Sequence, residues 1–404
     1  MSGVSSAGCG YSPFINRNIV DAYERYAEQR AAAPVHWSEA DGVYYAFSFD
    51  AVHDALLDQE RLTMARTKSR VRRGGQLGSL REMQLKWFIQ MDPPEHTPLR
   101  RFFGQWFIPK RIDQLEGWVR TVANSLLDDV VAAGSMDLVA DFAYPLPSLA
   151  IATVLGVPTE DIHLFKEWGS RLARTQEAHP SEEEIAASNA AIEEALTYFE
   201  GLVEELKRHP GEDIISFALQ ERDERELSDA SLIANAFLIL VAGHETTINL
   251  IGNTVNALLE RPDQEARIRS GAASMSKAIE EFLRFDSPVQ MTSRVVNVTH
   301  ELAGVQLEEG RSIVMVLGSA NRDELAFPGA DVLDVDRWPN QHVAFGGGIH
   351  HCLGARLARL EGRIALETLA SRVDEIASAG APKRLDLIEL RGFSSLPISF
   401  QSIG

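Results

Sequence analysis

Phe345-Gly-Gly-Gly-Ile-His-His-Cys-Leu-Gly354 is the stretch from which the fold of this chain is read. Three successive glycines leave the backbone free to take positive φ and to approach a flat ligand closely. Cys352 follows them and stands just before an amphipathic stretch, about Leu353 to Val373, whose spacing predicts a last helix. A cysteine there feels the helix N-terminus and nearby backbone N–H donors, both of which favour thiolate over thiol. Such a thiolate binds soft or intermediate metals. Taken alone, the loop leaves other chemistries open. A buried cysteine is usually a small hydrophobe, and His350 or His351 could act as base to a cysteine nucleophile. Adjacent histidines are poorly arranged for zinc, and the lysine and hydroxyl of a phosphate loop are missing.

About a hundred residues upstream, Ser231 to Leu259 is apolar on nearly every face, between Ser228-Asp229 and Pro262. At ~1.5 Å per residue it spans over 40 Å, and an all-round apolar helix belongs in the interior. Ala242-Gly243-His244-Glu245-Thr246-Thr247 interrupts it. Polar groups in mid-core are costly unless paired, and Gly243 weakens a helix by roughly 1 kcal/mol. Back-bonding to the i−4 carbonyls accounts for one threonine. The whole cluster reads as a carboxylate and hydroxyl able to relay protons in a nearly dry pocket. Glu281 and Arg284, three apart before Pro288, share a helix face. His96 and Arg100, four apart after Asp92-Pro93-Pro94, form a donor pair suited to a carboxylate. Pro98 between them predicts a helix that starts late or kinks.

The remaining sequence sets the frame. Acids outnumber bases 58 to 39, and a net charge of −19 makes nucleic acid an unfavourable partner. Cys9 and Cys352 are the only cysteines, so there is no disulfide framework. Residues 1–10 lack the apolar core of a secretory signal, and Ala236 to Gly243 is far short of a ~20-residue membrane span. These features predict a soluble, cytoplasmic chain. A hairpin is expected from Val35–Trp37 and Val43–Phe49 around Asp41-Gly42. Helices follow from Asp50 to about Ala273, with Glu183–Lys207 plainly amphipathic. Short strands are expected over Ser293–Leu317, irregular chain over Phe327–Gly348, and extended pieces over Ser395–Phe400. Thr67–Leu80 and Glu177–Ala187 read as adaptable loops, able to cover a cavity. No repeat or linker marks a boundary, so one domain over 1–404 is expected, with 1–12 flexible.

The segment Phe345–Gly354 resembles the Phe-Gly-x-Gly-x-His-x-Cys-x-Gly signature of the cytochrome P-450 family at every defined position. Ala242–Thr247 is similar to that family's Ala-Gly-x-Asp/Glu-Thr-Thr. Glu281-x-x-Arg284 resembles its structural pair, and Asp92–Arg100 its Asp-Pro-Pro-x-His-Thr-x-x-Arg. The resemblance runs from about Pro13 to Phe400. It implies a mainly α fold with small β regions, and haem b between a long central helix and the cysteine loop. Cys352 is then the axial iron ligand, and Glu245 and Thr246 carry the proton relay. Ala242 and Gly243 make room beside the haem, while His244 falls at a variable position. His96, Arg100, Arg294 and His350 contact the propionates, and Phe345, Gly346 and Gly354 shape the loop. The family's third partner to the Glu-x-x-Arg pair falls near Val332-Leu333, where its arginine and phenylalanine are absent; Arg337 is a substitute.

The same resemblance places Phe237, Leu238 and Val241, with Val289, Gln290, Thr292, Phe393 and Leu396, around a substrate pocket, and Phe88 and Ile89 above it. Such a wall suits a hydrophobic organic molecule with few polar handles. No flavin, nicotinamide or iron–sulfur signature is present, so electrons and O2 chemistry imply a separate ferredoxin and reductase. Arg101, Lys110, Arg111, Arg356 and Arg359 are candidates for a basic docking patch. The function implied is monooxygenation by a monomer in secondary-metabolite biosynthesis. Oxidative coupling or desaturation, peroxide-driven turnover, and a non-catalytic haem sensor are the alternatives.

Overall fold

The structure, a computed structural model, describes residue 12 and residues 22–64, 78–176, 180–223 and 227–403. Cys9, residues 67–77 of the first loop (67–80) and Glu177–His179 of the second lie outside these. The chain forms two compact units, one of residues 1–74, 276–352 and 384–391, the other of 75–275, 353–383 and 392–404.

The first unit is built on a five-stranded sheet. The expected hairpin is present: Val35–Ser38 pairs antiparallel with Val43–Ala46, Val35 opposite Ala46. Val43–Ala46 then pairs parallel with Ser312–Met315, which pairs antiparallel with Thr292–Val296. A two-residue edge strand, Leu62–Thr63, completes the sheet. β-Branched and aromatic residues fill these strands, and one face buries Val35, Tyr44, Ile313 and Met315 against Val52, Ala55 and Leu56. Those last residues belong to helix Phe49–Leu57, whose N-cap Ser48 accepts from the Ala51 N–H. Chain 327–347 is irregular, as expected.

The second unit is helical. Asp229–Leu259 runs 31 residues, capped by the Ser228 hydroxyl, which accepts from the Ser231 N–H. It packs against Pro145–Leu155, Glu182–Arg208 and Ala355–Arg372. The amphipathic helix Glu182–Arg208 opens on a capping box formed by Ser181 and Glu184. Helix therefore replaces the expected loop over residues 182–187, and likewise over 78–80, where Gly78–Gln84 begins. Pro397–Ser402 pairs with both Ser135–Asp137 and Val373–Ser378. The long helix is apolar enough to cross a membrane by length and composition, but 61% of its most apolar window is buried inside the protein.

Candidate active site

In the first unit the glycine loop has a conformation only glycine takes easily. Gly346 and Gly348 have φ of +67° and +63°, while Gly347 is extended. A Cβ on Gly348 would lie 2.8 Å from the Leu56 carbonyl oxygen, so the loop rests directly on the end of helix Phe49–Leu57. Its backbone is tied down: the Cys352 N–H donates to Phe345 O at 2.9 Å and the His351 N–H to Gly348 O at 3.1 Å. Cys352 itself is exposed. The Phe345 ring lies 6.0 and 6.2 Å from the rings of His342 and His351. His350 is half-buried. Arg294 is buried on strand Thr292–Val296 and donates to Ser293 O at 2.9 Å.

Behind this loop, Glu281 and Arg284 are fully buried and joined by two hydrogen bonds of 2.7 and 2.8 Å. Arg284 also donates to Asn321 O and Ala330 O, both at 2.8 Å. Glu281 accepts from Arg337 at 3.2 Å, Asn340 at 3.0 Å and the Asp334 N–H at 3.0 Å. The third partner is therefore Arg337, five residues beyond Val332. That latter stretch contributes a backbone carbonyl, Val332 O, to Arg284.

In the second unit, Ala242 is exposed in the middle of an otherwise buried helix, which shows open space against that turn. Thr246 donates to Ala242 O at 3.0 Å and Thr247 to Gly243 O at 3.5 Å. A Cβ on Gly243 would come within 2.7 Å of Ile151 Cδ1. What the missing side chain admits is thus helix Pro145–Leu155, a correction to Gly243 making room beside a cofactor. Glu245 directs its carboxylate at Gly169 of helix Ile162–Gln176, Oε1 standing 3.3 Å from where a Cβ would be. Burial pushes its pKa up to about 7. His244 is buried beside it, donating from Nδ1 to Leu240 O, and desolvation lowers its pKa. His96 begins helix His96–Gly104, with Pro98 in the first turn, where its missing N–H breaks no helical bond. The helix therefore starts at His96, earlier than expected. Burial and the Arg100 charge lower the pKa of His96, and Arg100 lies over the Phe88 ring.

The expected pocket residues divide. Phe237 is fully buried, edge-on to Trp168 and Phe199, and so packs in the core. Gln290 is locked by bonds to Ser287 O and the Tyr23 hydroxyl, and its Oε1 fills the space over Gly318. Phe393 lies against Gly252, and Leu396 is tied by backbone bonds to Asp137 and Leu138. Phe88 and Leu238 are buried. Ile89, Val241, Val289 and Thr292 keep exposed surface. In the expected basic patch, Arg101 and Lys110 are exposed. Arg111 lies over Trp106 and Phe217, and Arg356 is bonded to both Asp113 oxygens. Glu361 was missed: it is a fully buried carboxyl on helix Ala355–Arg372. Its position one turn beyond Leu357, within an apolar stripe, was the available signal.

The comparisons with known proteins fit these features. The cytochrome P-450 family model matches residues 273–376. A biotin-biosynthesis cytochrome P-450 of Bacillus subtilis is 36% identical over 323 residues, 80% of this chain and 82% of its own length. The chain belongs to the cytochrome P-450 family. The polyketide-biosynthesis cytochrome P-450 PksS of the same organism is 36% identical over 77% of each chain. A crystal structure of P450BioI, in complex with a hexadec-9Z-enoic acid-ligated acyl carrier protein, matches with a TM-score of 0.90. It is 32% identical and covers 96% of this chain and 100% of its own. Cytochromes P-450 are oxidoreductases that carry haem on a cysteine thiolate and use O2, redox partners and hydrophobic substrates. The donors of the first unit fit such a group: one exposed thiol on a tied-down loop, a buried arginine, Arg294, and a half-buried imidazole, His350.

Proposed function

We propose that this chain, acting as one domain and as a cytoplasmic monomer, is a haem-thiolate monooxygenase of secondary metabolism. It would oxidise a hydrophobic organic small molecule with electrons from a ferredoxin and its reductase. In this proposal Cys352 would hold the haem iron through its thiolate, and His96, Arg100, Arg294 and His350 would hold the propionates. When bound, the haem supplies the reduction of dioxygen and the transfer of one oxygen atom to substrate. The chain supplies the surroundings. In this reading Ile89 and Val241 of the second unit, and Val289 and Thr292 of the first, would each offer the substrate apolar surface, with one hydroxyl among them. The observation that carries a monooxygenase is the turn Ala242–Thr247. There Glu245 exchanges its proton near neutrality, and Thr246 keeps its lone pairs available while donating to Ala242 O. A proton acid at neutral pH beside a hydroxyl at an open turn suits a reaction that consumes protons.

The test has two arms. Cys352→Ser removes the thiolate signature from the spectrum of the reduced, carbon-monoxide-bound protein; survival of that signature refutes the ligand assignment. Thr246→Ala retains haem but diverts reductant into product-free oxygen consumption. Unchanged coupling removes Thr246 from the relay.

A further inference from the structure

Helix Gly78–Gln84 is followed by the 3-10 turn Phe88–Gln90. Between them Trp87 is extended, with φ −71° and ψ 123°, so regular bonding breaks there. The Trp87 N–H still donates back to Gln84 O, and the Gln90 N–H to Trp87 O. The buried Phe88 N–H and the Lys86 carbonyl need partners from elsewhere, because a buried backbone group left unpaired is costly. Asn235 of the long helix Asp229–Leu259 meets both. Its Oδ1 accepts from the Phe88 N–H at 2.9 Å, and its Nδ2 donates to Lys86 O at 2.9 Å. Nδ2 also donates to Ser231 O, one turn back on the same helix, at 2.8 Å. Both amide donors are thus used and the side chain is held in one orientation. Asn235 is fully buried. An apolar interior helix gains nothing from an amide there unless the amide has partners outside the helix.

The clamped chain bears apolar surface. The Phe88 ring lies 5.8 Å from that of Phe103 and under the Arg100 guanidinium. Ile89, the next residue, is 37% exposed despite its large apolar side chain. On the long helix, Asn235 and the exposed Ala242 are seven residues apart, which is two turns and ~10 Å along one face. The clamp is therefore anchored on the face of the helix that opens two turns farther on. The outer end of this segment is held differently. The Leu80 N–H donates to Asn189 at 3.0 Å and Ser79 to Glu193 at 2.8 Å, and neither partner is buried.

We propose that Asn235 is a specificity-determining positioning residue. By clamping Lys86 and Phe88 to the long helix it fixes where Ile89 stands, and so sets the length of apolar substrate that the wall admits. This rests on the reading above that Ile89 belongs to the substrate wall.

A series of N-alkylimidazoles of increasing tail length tests this in the holoprotein without turnover. The ring nitrogen binds the haem iron and shifts the Soret band, while the tail probes the pocket. In wild type the affinity should rise about fourfold per methylene until the tail meets the wall, and then stop rising. Ile89→Ala should move that break to longer tails. Asn235→Leu should also move it, with the affinity for N-methylimidazole and the carbon-monoxide spectrum unchanged. Should the leucine variant lose haem, Asn235→Ala carries the same expectation. Because Asn235 acts through Ile89, the double variant should move the break no farther than the larger single shift. Asn189→Ala should leave the break at its wild-type length. A break unmoved in the Asn235 variants but moved in Ile89→Ala overturns the proposal and leaves the wall reading standing. An equal shift in Asn189→Ala also overturns it, since general loosening of the segment would then suffice, and so do additive shifts in the double variant. A break unmoved in Ile89→Ala sinks the wall reading, and the proposal with it.

Discussion

Burial holds the Glu245 proton up to about pH 7, against 4.5 for an ordinary glutamate, and this has a consequence for stability. Between those two values the folded protein binds more proton at this site than the unfolded chain does. Stability therefore falls as pH rises through the window and stays lower above it. The loss is at most on the order of 3 kcal/mol, since each tenfold change in proton affinity is worth about 1.4 kcal/mol. Glu245→Gln removes the titration while keeping the shape. Its melting temperature should match wild type near pH 5 and exceed it at pH 8. A difference that does not vary with pH would show that the carboxylate is solvated. Desolvation lowers the pKa of the neighbouring His244, so its own contribution to stability falls as pH drops below the ordinary imidazole value; it is present in both proteins and cancels in their comparison.

At the scale of elements, the glycine loop and the Glu281 cluster make separable predictions. Gly346 and Gly348 share the left-handed backbone region, but a Cβ on Gly346 meets nothing within 4 Å, whereas one on Gly348 meets the Leu56 carbonyl. Gly346→Ala should cost about 1–2 kcal/mol from conformation alone. Gly348→Ala should cost visibly more in urea unfolding and should lower haem retention. In the buried cluster, Arg284→Met takes both short charged bonds from Glu281, leaving it the longer contact with Arg337, Asn340 and the Asp334 N–H, and should cost about 3–5 kcal/mol. Arg337→Met should cost less, since Glu281 keeps both bonds from Arg284 and those from Asn340 and the Asp334 N–H. Equal losses in the two variants would remove the distinction between core pair and third partner. These elements also show what a sequence discloses. The long helix was legible because Ser231–Leu259, bounded by Ser228 and Pro262, is apolar on nearly every face apart from the polar turn Ala242–Thr247, and such a stretch has few other solutions. Arg337 was visible only as a candidate, because its partner lies 56 residues away. Phe237 and Gln290 were misplaced because a side chain facing a cavity and one facing Trp168 or Tyr23 have the same local pattern. The two-residue strand Leu62–Thr63 has too few residues for any periodicity, and its existence depends on pairing with Val295 and Val296.

For the whole molecule, charge governs how a redox partner arrives. At −19 the chain would repel the acidic ferredoxin proposed as its partner at long range, while the exposed Arg101 and Lys110 would offer local attraction. Arg356 adds little, because Asp113 already occupies it through both oxygens and is itself held below the usual carboxylate range by that contact. The two effects act over different distances. The Debye length shrinks from about 30 Å at 0.01 M salt to about 3 Å at 1 M, so rising salt first screens the general repulsion and later the close contacts. Ferredoxin-supported reduction should therefore pass through a maximum with ionic strength rather than fall throughout. Arg101→Ala and Lys110→Ala should lower that maximum by slowing association, whereas Arg356→Ala should move it little. Stopped-flow reduction rates across a salt series supply the check, with the dithionite-reduced carbon-monoxide spectrum as control for an intact site. A monotonic fall would mean that the net charge is not felt at the docking face. Equal effects from all three substitutions would mean that the Asp113 contact opens when the partner binds.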